Sequence, residues 1–201
     1  MKKKVIIFIL IIIMVYAIGG FVYIKLLNPK EEATEVQEID SIKNFAYSLK
    51  SNANELYKKE FDLLKTNLTS EEINDEEYAM SIAKLFIIDL YSLNSKINKY
   101  DVGGSDFVYP SALDNYKLNV QNTIYKYLED NTYNNRAQRL PDVVSITISK
   151  QEKTNYKIRD NSFNGYKVNL EWTYNVDLGY ESKGEVILIK ENDKYYVVEK
   201  N

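Results

Sequence analysis

The amino-acid sequence predicts an α+β fold, in which one N-terminal transmembrane helix is followed by about three helices packed on a curved four-stranded antiparallel sheet. Three observations lead to this prediction: an uncharged apolar run near the start, apolar residues at helical spacing to about residue 131, and apolar–polar alternation after residue 141. Helices that precede an antiparallel sheet along the chain are typical of the α+β class, in which they cover one face of the sheet.

The apolar run extends over 20 residues without a charge, from Val5 to Ile24. As a helix it would span about 30 Å, which is the thickness of the hydrocarbon core of a bilayer. Three lysines at positions 2, 3 and 4 precede the run, and such a basic flank is typical of the cytoplasmic side.

We therefore predict a cytoplasmic tail over residues 1–4 and a transmembrane helix over residues 5–27 that binds the lipid bilayer. The rest of the chain is predicted to lie outside the plasma membrane, as the extracellular part of a single-pass protein. A cleaved signal peptide is the alternative for the same segment, because Ala17 and Gly19 could precede a cut.

An acidic spacer over residues 28–38 leads to the extracytoplasmic domain, which we place at residues 39–201. Between residues 39 and 63, apolar residues recur at steps of three and four, which predicts one long amphipathic helix. This stripe resembles a coiled-coil seam, so one interpretation is a homo-oligomer formed through the 39–63 helix. The other interpretation is a helix that packs on its own domain.

A second helix is predicted close to residue 74. Both Thr69 with Glu72 and Asn74 with Glu77 have capping-box spacing. The second half of this helix is apolar nearly all round, which predicts the central buried helix of the domain. Its main face comprises Tyr78, Ile82, Leu85, Phe86, Leu90 and Leu93.

A third helix is predicted from Pro110 to about Asn131, after a glycine-containing turn at residues 101–105. The residues expected on its inner face are Leu113, Tyr116, Val120, Ile124 and Tyr127.

After residue 141, the alternation of apolar and polar residues predicts the strands of the sheet. One strand places Val144, Ile146 and Ile148 on one face, and the clearest strand covers residues 166–177, with its even-numbered residues apolar. Two further strands are predicted at residues 183–190 and 194–199.

The composition excludes several kinds of chemistry, because the chain contains no Cys and no His. Disulfides, thiolate nucleophiles and the side chain best suited to proton transfer near neutral pH are therefore missing. Residues 1–30 carry five basic residues and no acidic one, so the remainder is more acidic than the net charge of −3 implies. Since nucleic-acid affinity rests on basic patches, no nucleic-acid partner is expected.

An acidic cluster at residues 71–77 lacks the alternating oxygen ligands and the glycine of a calcium loop. We interpret it as favourable charge at the start of a helix. No metal, no cofactor and no catalytic residue is predicted.

The order of helices and strands resembles the cone-shaped roll of the nuclear transport factor 2-like superfamily. The resemblance covers residues 39–200 and includes the closing hairpin VILIKENDKYYVVEK, which is similar to the final strand pair of many such domains. Some bacterial families attach this roll to one membrane helix. They include the scaffold subunit of type IV secretion and conjugation machines and uncharacterised surface proteins of Gram-positive bacteria.

The resemblance implies a cavity between the long helix and the sheet, where enzymes of the superfamily place Asp, His or Tyr. Asp89 is the candidate here, with Tyr91, Trp172 and Tyr174 as wall residues. A carboxylate in an apolar pocket can act as an acid or base, because its pKa is raised. The alternative is that Asp89 turns to solvent or caps a nearby loop, while Trp172 and Tyr174 fill the core.

Two classes of function follow. The first is a membrane-anchored binding or scaffold module that assembles with other membrane or envelope proteins, as in a secretion or conjugation machine. The second is a pocket protein of the same fold, either a small-ligand binder or a weak hydrolase or isomerase.

Overall fold

The computed structural model describes residues 36–201, which form an α+β fold with three α-helices and a four-stranded antiparallel sheet, as predicted. The predicted cytoplasmic tail, the transmembrane helix and residues 28–35 of the spacer lie outside the described residues. Within residues 36–201, no helix is both long enough and apolar enough to cross a bilayer.

The helices are α1 (Glu55–Leu68), α2 (Asp75–Tyr91) and α3 (Leu113–Asn122). A small antiparallel hairpin precedes them, formed by β1 (Glu38–Ile42) and β2 (Tyr47–Lys50). The main sheet has the order β3-β4-β5-β6, with strands β3 (Val143–Ile158), β4 (Asn161–Tyr174), β5 (Lys183–Glu191) and β6 (Lys194–Lys200).

The prediction of one helix over residues 39–63 is wrong. A tight turn with Ala46 in the left-handed region, at φ 52°, reverses the chain between β1 and β2. In β2 the side chains alternate, with Tyr47 and Leu49 buried, because the hairpin contributes one face to the core. The predicted homo-oligomer contact depended on a continuous helix and therefore loses its basis.

Helix α1 begins only at Glu55, where the side chain of Asn54 accepts a 2.8 Å hydrogen bond from the backbone N–H of Tyr57. Thr69 ends this helix and does not cap the next one. Asn74 caps α2 as predicted, since its side chain accepts a 3.1 Å hydrogen bond from the N–H of Glu77.

Helix α2 is the central buried helix, as its sequence predicts. Ile82 and Phe86 lie on one side of it and Ile88 lies on another, and all three are fully buried. The helix contacts α1 and every strand of the main sheet. Its apolar circumference is therefore covered on nearly all sides, which is the arrangement that such a sequence requires.

Strand β4 shows the predicted alternation, and its core-facing residues are Tyr166, Val168, Leu170 and Trp172. The predicted bounds of 166–177 are wrong, because the strand begins at Asn161 and ends at Tyr174. Strand β3 is longer than predicted, and the register shift between Val143 and Ser145 buries Val143 while Val144 stays 51 % exposed. The predicted placement of Val144 on the apolar face is therefore wrong.

The third helix is shorter than predicted. It ends at Asn122, and turns cover residues 123–127, so Tyr125 is buried while Tyr127 is 77 % exposed. The expected inward position of Tyr127 is wrong because the helical period stops before it.

Candidate functional site

Asp89 closes a loop against the C-terminal end of α2. Its carboxylate forms an ion pair with Lys96 and accepts a 2.6 Å hydrogen bond from the backbone N–H of Gly104. The side chain of Lys96 is only 5 % exposed. Asp89 therefore holds together the end of the helix and the two segments that follow it.

The glycine pair that the sequence indicates as a turn lies directly against this site. A Cβ atom on Gly103 would lie 2.0 Å from the carbonyl oxygen of Asp89, and Gly104 has φ +75°. Only glycine allows so close an approach and adopts this φ without strain. The hydroxyl of Tyr116 donates a 2.6 Å hydrogen bond to the carbonyl of Gly103, which fixes the loop from its other side.

The electrostatics of Asp89 are those of a structural ion pair. Burial opposes its ionisation, but the Lys96 ammonium and the Gly104 N–H outweigh burial and lower the pKa of the carboxyl. Burial raises the pKa of the neighbouring Asp106. The polar cavity that Asp89 lines measures about 20 Å³, which is room for one or two water molecules and not for a substrate.

The other three candidate residues form a separate cluster, which consists of Tyr91, Trp172 and Tyr174. The rings of Tyr91 and Trp172 are 5.1 Å apart between centroids, and the indole N–H of Trp172 donates a 2.8 Å hydrogen bond to the hydroxyl of Tyr174. The hydroxyl of Tyr91 donates to the Glu181 carboxylate, which also pairs with Lys200. This bonding joins α2 to the ends of β4 and β6.

Both hydroxyl groups in this cluster stay protonated at neutral pH. Burial raises the pKa of Tyr91 and raises the pKa of Tyr174 to about 12. Tyr91 and Trp172 are each 2 % exposed and belong to the core.

The four candidate residues therefore do not form one site. Residues two positions apart on a helix point about 200° apart, so Asp89 and Tyr91 face different neighbours. Asp89 faces the glycine loop, whereas Tyr91, Trp172 and Tyr174 pack against one another.

An open groove lies between α1 and α2, away from the four candidate pocket residues, and part of the acidic cluster at residues 71–77 lines it. Its volume is about 720 Å³, and Glu72 and Glu77 stand at its edge with exposed side chains. The residues that line it include four glutamates, one lysine and two apolar side chains: Glu60, Glu72, Glu76, Glu77, Lys84, Leu63 and Met80.

Glu60 and Lys84 form the floor of this groove. Glu60 is 6 % exposed, and its carboxylate lies 3.3 Å from the ammonium of Lys84. The apolar stripe that the sequence shows between residues 39 and 63 has one polar member, which is Glu60. That signal marks a carboxylate on the buried side of α1, because Tyr57 and Phe61 on the same side are buried.

Other acids near the start of α2 are bonded to the sheet. The Asp75 carboxylate accepts hydrogen bonds from Lys190 at 2.6 Å and from the Tyr195 hydroxyl at 2.9 Å. In residues 36–201, no group of three or more acidic side chains is arranged to hold a metal ion.

Comparisons of the chain with protein-family models, with curated proteins and with solved structures find no match.

Proposed function

We propose that this protein is a membrane-anchored binding module on the outer side of the plasma membrane, whose groove binds a basic segment of another envelope protein. The groove between α1 and α2 is the single observation that carries this proposal. It combines four glutamates against one lysine with an apolar strip at Leu63 and Met80.

The chemistry of the groove favours lysine- and arginine-rich segments. Their cationic ends would pair with Glu72 and Glu77 at the edge, and their methylene stems would cover Leu63, which is 51 % exposed. Neither edge carboxylate forms a side-chain hydrogen bond or ion pair within residues 36–201, so both charges are available to a partner.

The bonding of Asp89 supports binding over catalysis. Its carboxylate is held by Lys96 and Gly104, its cavity holds about 20 Å³, and the chain supplies no His or Cys to work beside it. The pocket-enzyme alternative gains no support from this geometry.

The fold superfamily and the membrane topology of the protein are part of the same proposal. Three helices followed by a four-stranded meander support a roll of the nuclear transport factor 2-like kind. The apolar run at residues 5–27 and the lysines before it support a cytoplasmic N-terminus and an outer domain that assembles with other membrane proteins, as the scaffold of a secretion or conjugation machine does.

The groove is tested with the full-length chain in phosphatidylcholine vesicles and a fluorescent peptide of alternating lysine and alanine. We expect saturable, salt-sensitive binding that Glu72→Gln with Glu77→Gln weakens about tenfold, because each exposed ion pair contributes up to about 1 kcal/mol. Asp160→Asn with Glu171→Gln removes the same charge from exposed positions outside the groove and serves as the control. Equal affinities for the two double variants would contradict the proposal.

Membrane anchorage is tested separately in cells. The protein is expected to resist carbonate extraction, and protease added outside the cell is expected to digest the domain beyond about residue 30. Release of a shortened protein into the medium would establish a cleaved signal peptide instead.

A further inference from the structure

The hairpin of β3 and β4 carries two exposed lysines on one face. Gln151, Lys153 and Lys157 share this face of β3, because side chains alternate along a strand and no register shift lies between these residues. Both lysines are exposed, and neither ammonium forms a hydrogen bond or an ion pair within residues 36–201. We call Lys153 and Lys157 the basic face.

The acidic residues of the hairpin leave the charge of the basic face in place. Glu152 lies on the opposite face of β3, where its carboxylate pairs with Lys150 at 2.9 Å. Asp160 is the one acidic residue between positions 153 and 165, and Arg159 beside it offsets its charge. The basic face therefore keeps two positive charges that no acid of the hairpin neutralises.

The basic face is open to solvent because the other face of the hairpin is held by the domain. The hydroxyl of Tyr156 donates a 3.1 Å hydrogen bond to Glu199, and the rings of Phe163 and Tyr109 are 6.4 Å apart between centroids. Within residues 36–201, β4 is the only strand that pairs with β3, so no further strand covers its outer edge.

The basic face continues from the groove between α1 and α2. Gln151 lines the groove, and its side-chain amide donates a hydrogen bond to the carboxylate of Glu76. Lys157 follows six residues later on the same strand, which is about 20 Å along a strand that rises about 3.3 Å per residue. The groove itself is lined by four glutamates and one lysine. The molecule therefore carries an acidic patch and a basic patch side by side.

We propose that the groove of one copy of this chain binds the basic face of a second copy. A two-fold rotation that brings one groove to the basic face of the second copy also brings the second groove to the first basic face, so every ionic contact forms twice. A partner with a single basic segment would form these contacts once. The inference rests on the groove of the proposed function and names a second copy as the source of the basic segment.

The test measures self-association of the full-length chain in a nonionic detergent. The chain has no native Cys, so Leu118→Cys, at a position 59 % exposed on α3, carries a donor dye in one sample and an acceptor dye in another. Energy transfer between the dyes reports association of the copies. One variant reverses the basic face by Lys153→Glu with Lys157→Glu, and a second variant reverses the groove edge by Glu72→Lys with Glu77→Lys.

We expect saturable energy transfer for the unreversed chain, which salt at about 0.5 M suppresses. Each reversed variant alone is expected to associate at least about tenfold more weakly, because its groove and its basic face then carry the same charge. An equal mixture of the two reversed variants should restore association to within about threefold, since each groove then meets a face of opposite charge. Lys126→Glu with Lys183→Glu, at exposed positions outside both patches, is the control and should change little.

Restoration in the mixture also shows that both reversed variants fold. If circular dichroism shows that the reversed basic face prevents folding, Lys153→Gln with Lys157→Gln takes its place and is expected to weaken association about threefold or more. Energy transfer that the charge changes leave unaltered would overturn the inference. A mixture that associates no better than either reversed variant alone would overturn it as well.

The lysine–alanine peptide separates this inference from the proposed function. A peptide that binds the groove and abolishes the energy transfer supports both. A chain that binds the peptide but shows no charge-dependent energy transfer contradicts only the contact between copies. A chain that neither binds the peptide nor associates contradicts both.

Discussion

The two ends of helix α2 differ in how they use their charged side chains. At the C-terminal end, Asp89 is bonded to Lys96 and to Gly104, and Tyr91 is bonded to Glu181. At the N-terminal end, Glu77 lies at the edge of an open groove of about 720 Å³.

Within one helix, the charged side chains at the C-terminal end therefore stabilise the fold, whereas Glu77 at the N-terminal end is exposed to a partner. A charge that is enclosed and paired cannot be removed without leaving its partner buried and uncompensated. A charge at an open edge costs little to remove, but it can bind a partner. Asp75 connects the N-terminal end of α2, which we call the open end, to the sheet, because Lys190 and Tyr195 donate hydrogen bonds to its carboxylate.

The largest effect on stability is expected at the C-terminal end of α2, which we call the closed end. Trp172→Asp replaces a fully packed indole beside Tyr91 with a charge, and we expect a loss of about 4 kcal/mol or more in the free energy of unfolding. Glu171→Ala and Thr173→Ala on the opposite face of β4 are expected to cost about 1 kcal/mol or less. Urea denaturation measures all three, and equal losses on both faces would contradict the placement of Trp172 in the core.

The second largest effect on stability is expected at the ion pair between Asp89 and Lys96. Asp89→Ala leaves the Lys96 ammonium buried without a counter-charge, and we expect a loss of about 3 kcal/mol in the free energy of unfolding. Asp160→Ala, at an exposed turn, is the matched control and should stay within about 0.5 kcal/mol. A loss at Asp89 no larger than at Asp160 would show that the loop does not depend on this carboxylate.

The pH dependence of stability tests the same pair. The folded protein lowers the pKa of Asp89, so its stabilising contribution is complete above the unfolded pKa of about 3.9 and is lost as pH falls through the folded pKa. The difference in unfolding free energy between the wild type and Asp89→Asn should therefore stay constant from neutral pH to about pH 5 and shrink below about pH 4. A difference that changes around neutral pH would instead indicate a raised pKa and a catalytic environment.

The smallest stability effects are expected at the open end. Glu60→Gln should cost about 1 kcal/mol, because Lys84 keeps contact with solvent. The exposed pair Glu72→Gln with Glu77→Gln should change the free energy of unfolding by less than about 0.5 kcal/mol. Thermal unfolding of the variants provides the measurement, and a large loss for the exposed pair would mean that these carboxylates support the fold.

The sequence predicts the parts of the fold that follow a single periodicity. The alternation in β4, the cap at Asn74 and the apolar circumference of α2 are all local signals, and the structure agrees with each. The hairpin at residues 38–50 has no such signal. Its turn uses Ala46 in the left-handed region where glycine is the usual marker, and its apolar residues coincide with helical spacing.

The candidate site is less accessible to sequence reasoning, because its contacts join distant segments. The sequence places Asp89 in an apolar run and Gly103 in a turn, but the contact between them depends on how the loop folds back. The groove is missed for the same reason, since it needs both the start of α2 and the polar position Glu60 of α1.

Hydrogen exchange with the lysine–alanine peptide tests most directly whether the open end of α2 is the binding surface. Amide exchange is measured by mass spectrometry on the full-length chain in phosphatidylcholine vesicles, with and without the peptide. The peptide is expected to slow exchange in residues 60–84, most strongly in the connecting loop at residues 69–74, and to leave residues 92–106 around the Asp89 pair unchanged. Slower exchange confined to residues 92–106, or no slowing in either segment, would contradict the assignment of binding to the open end.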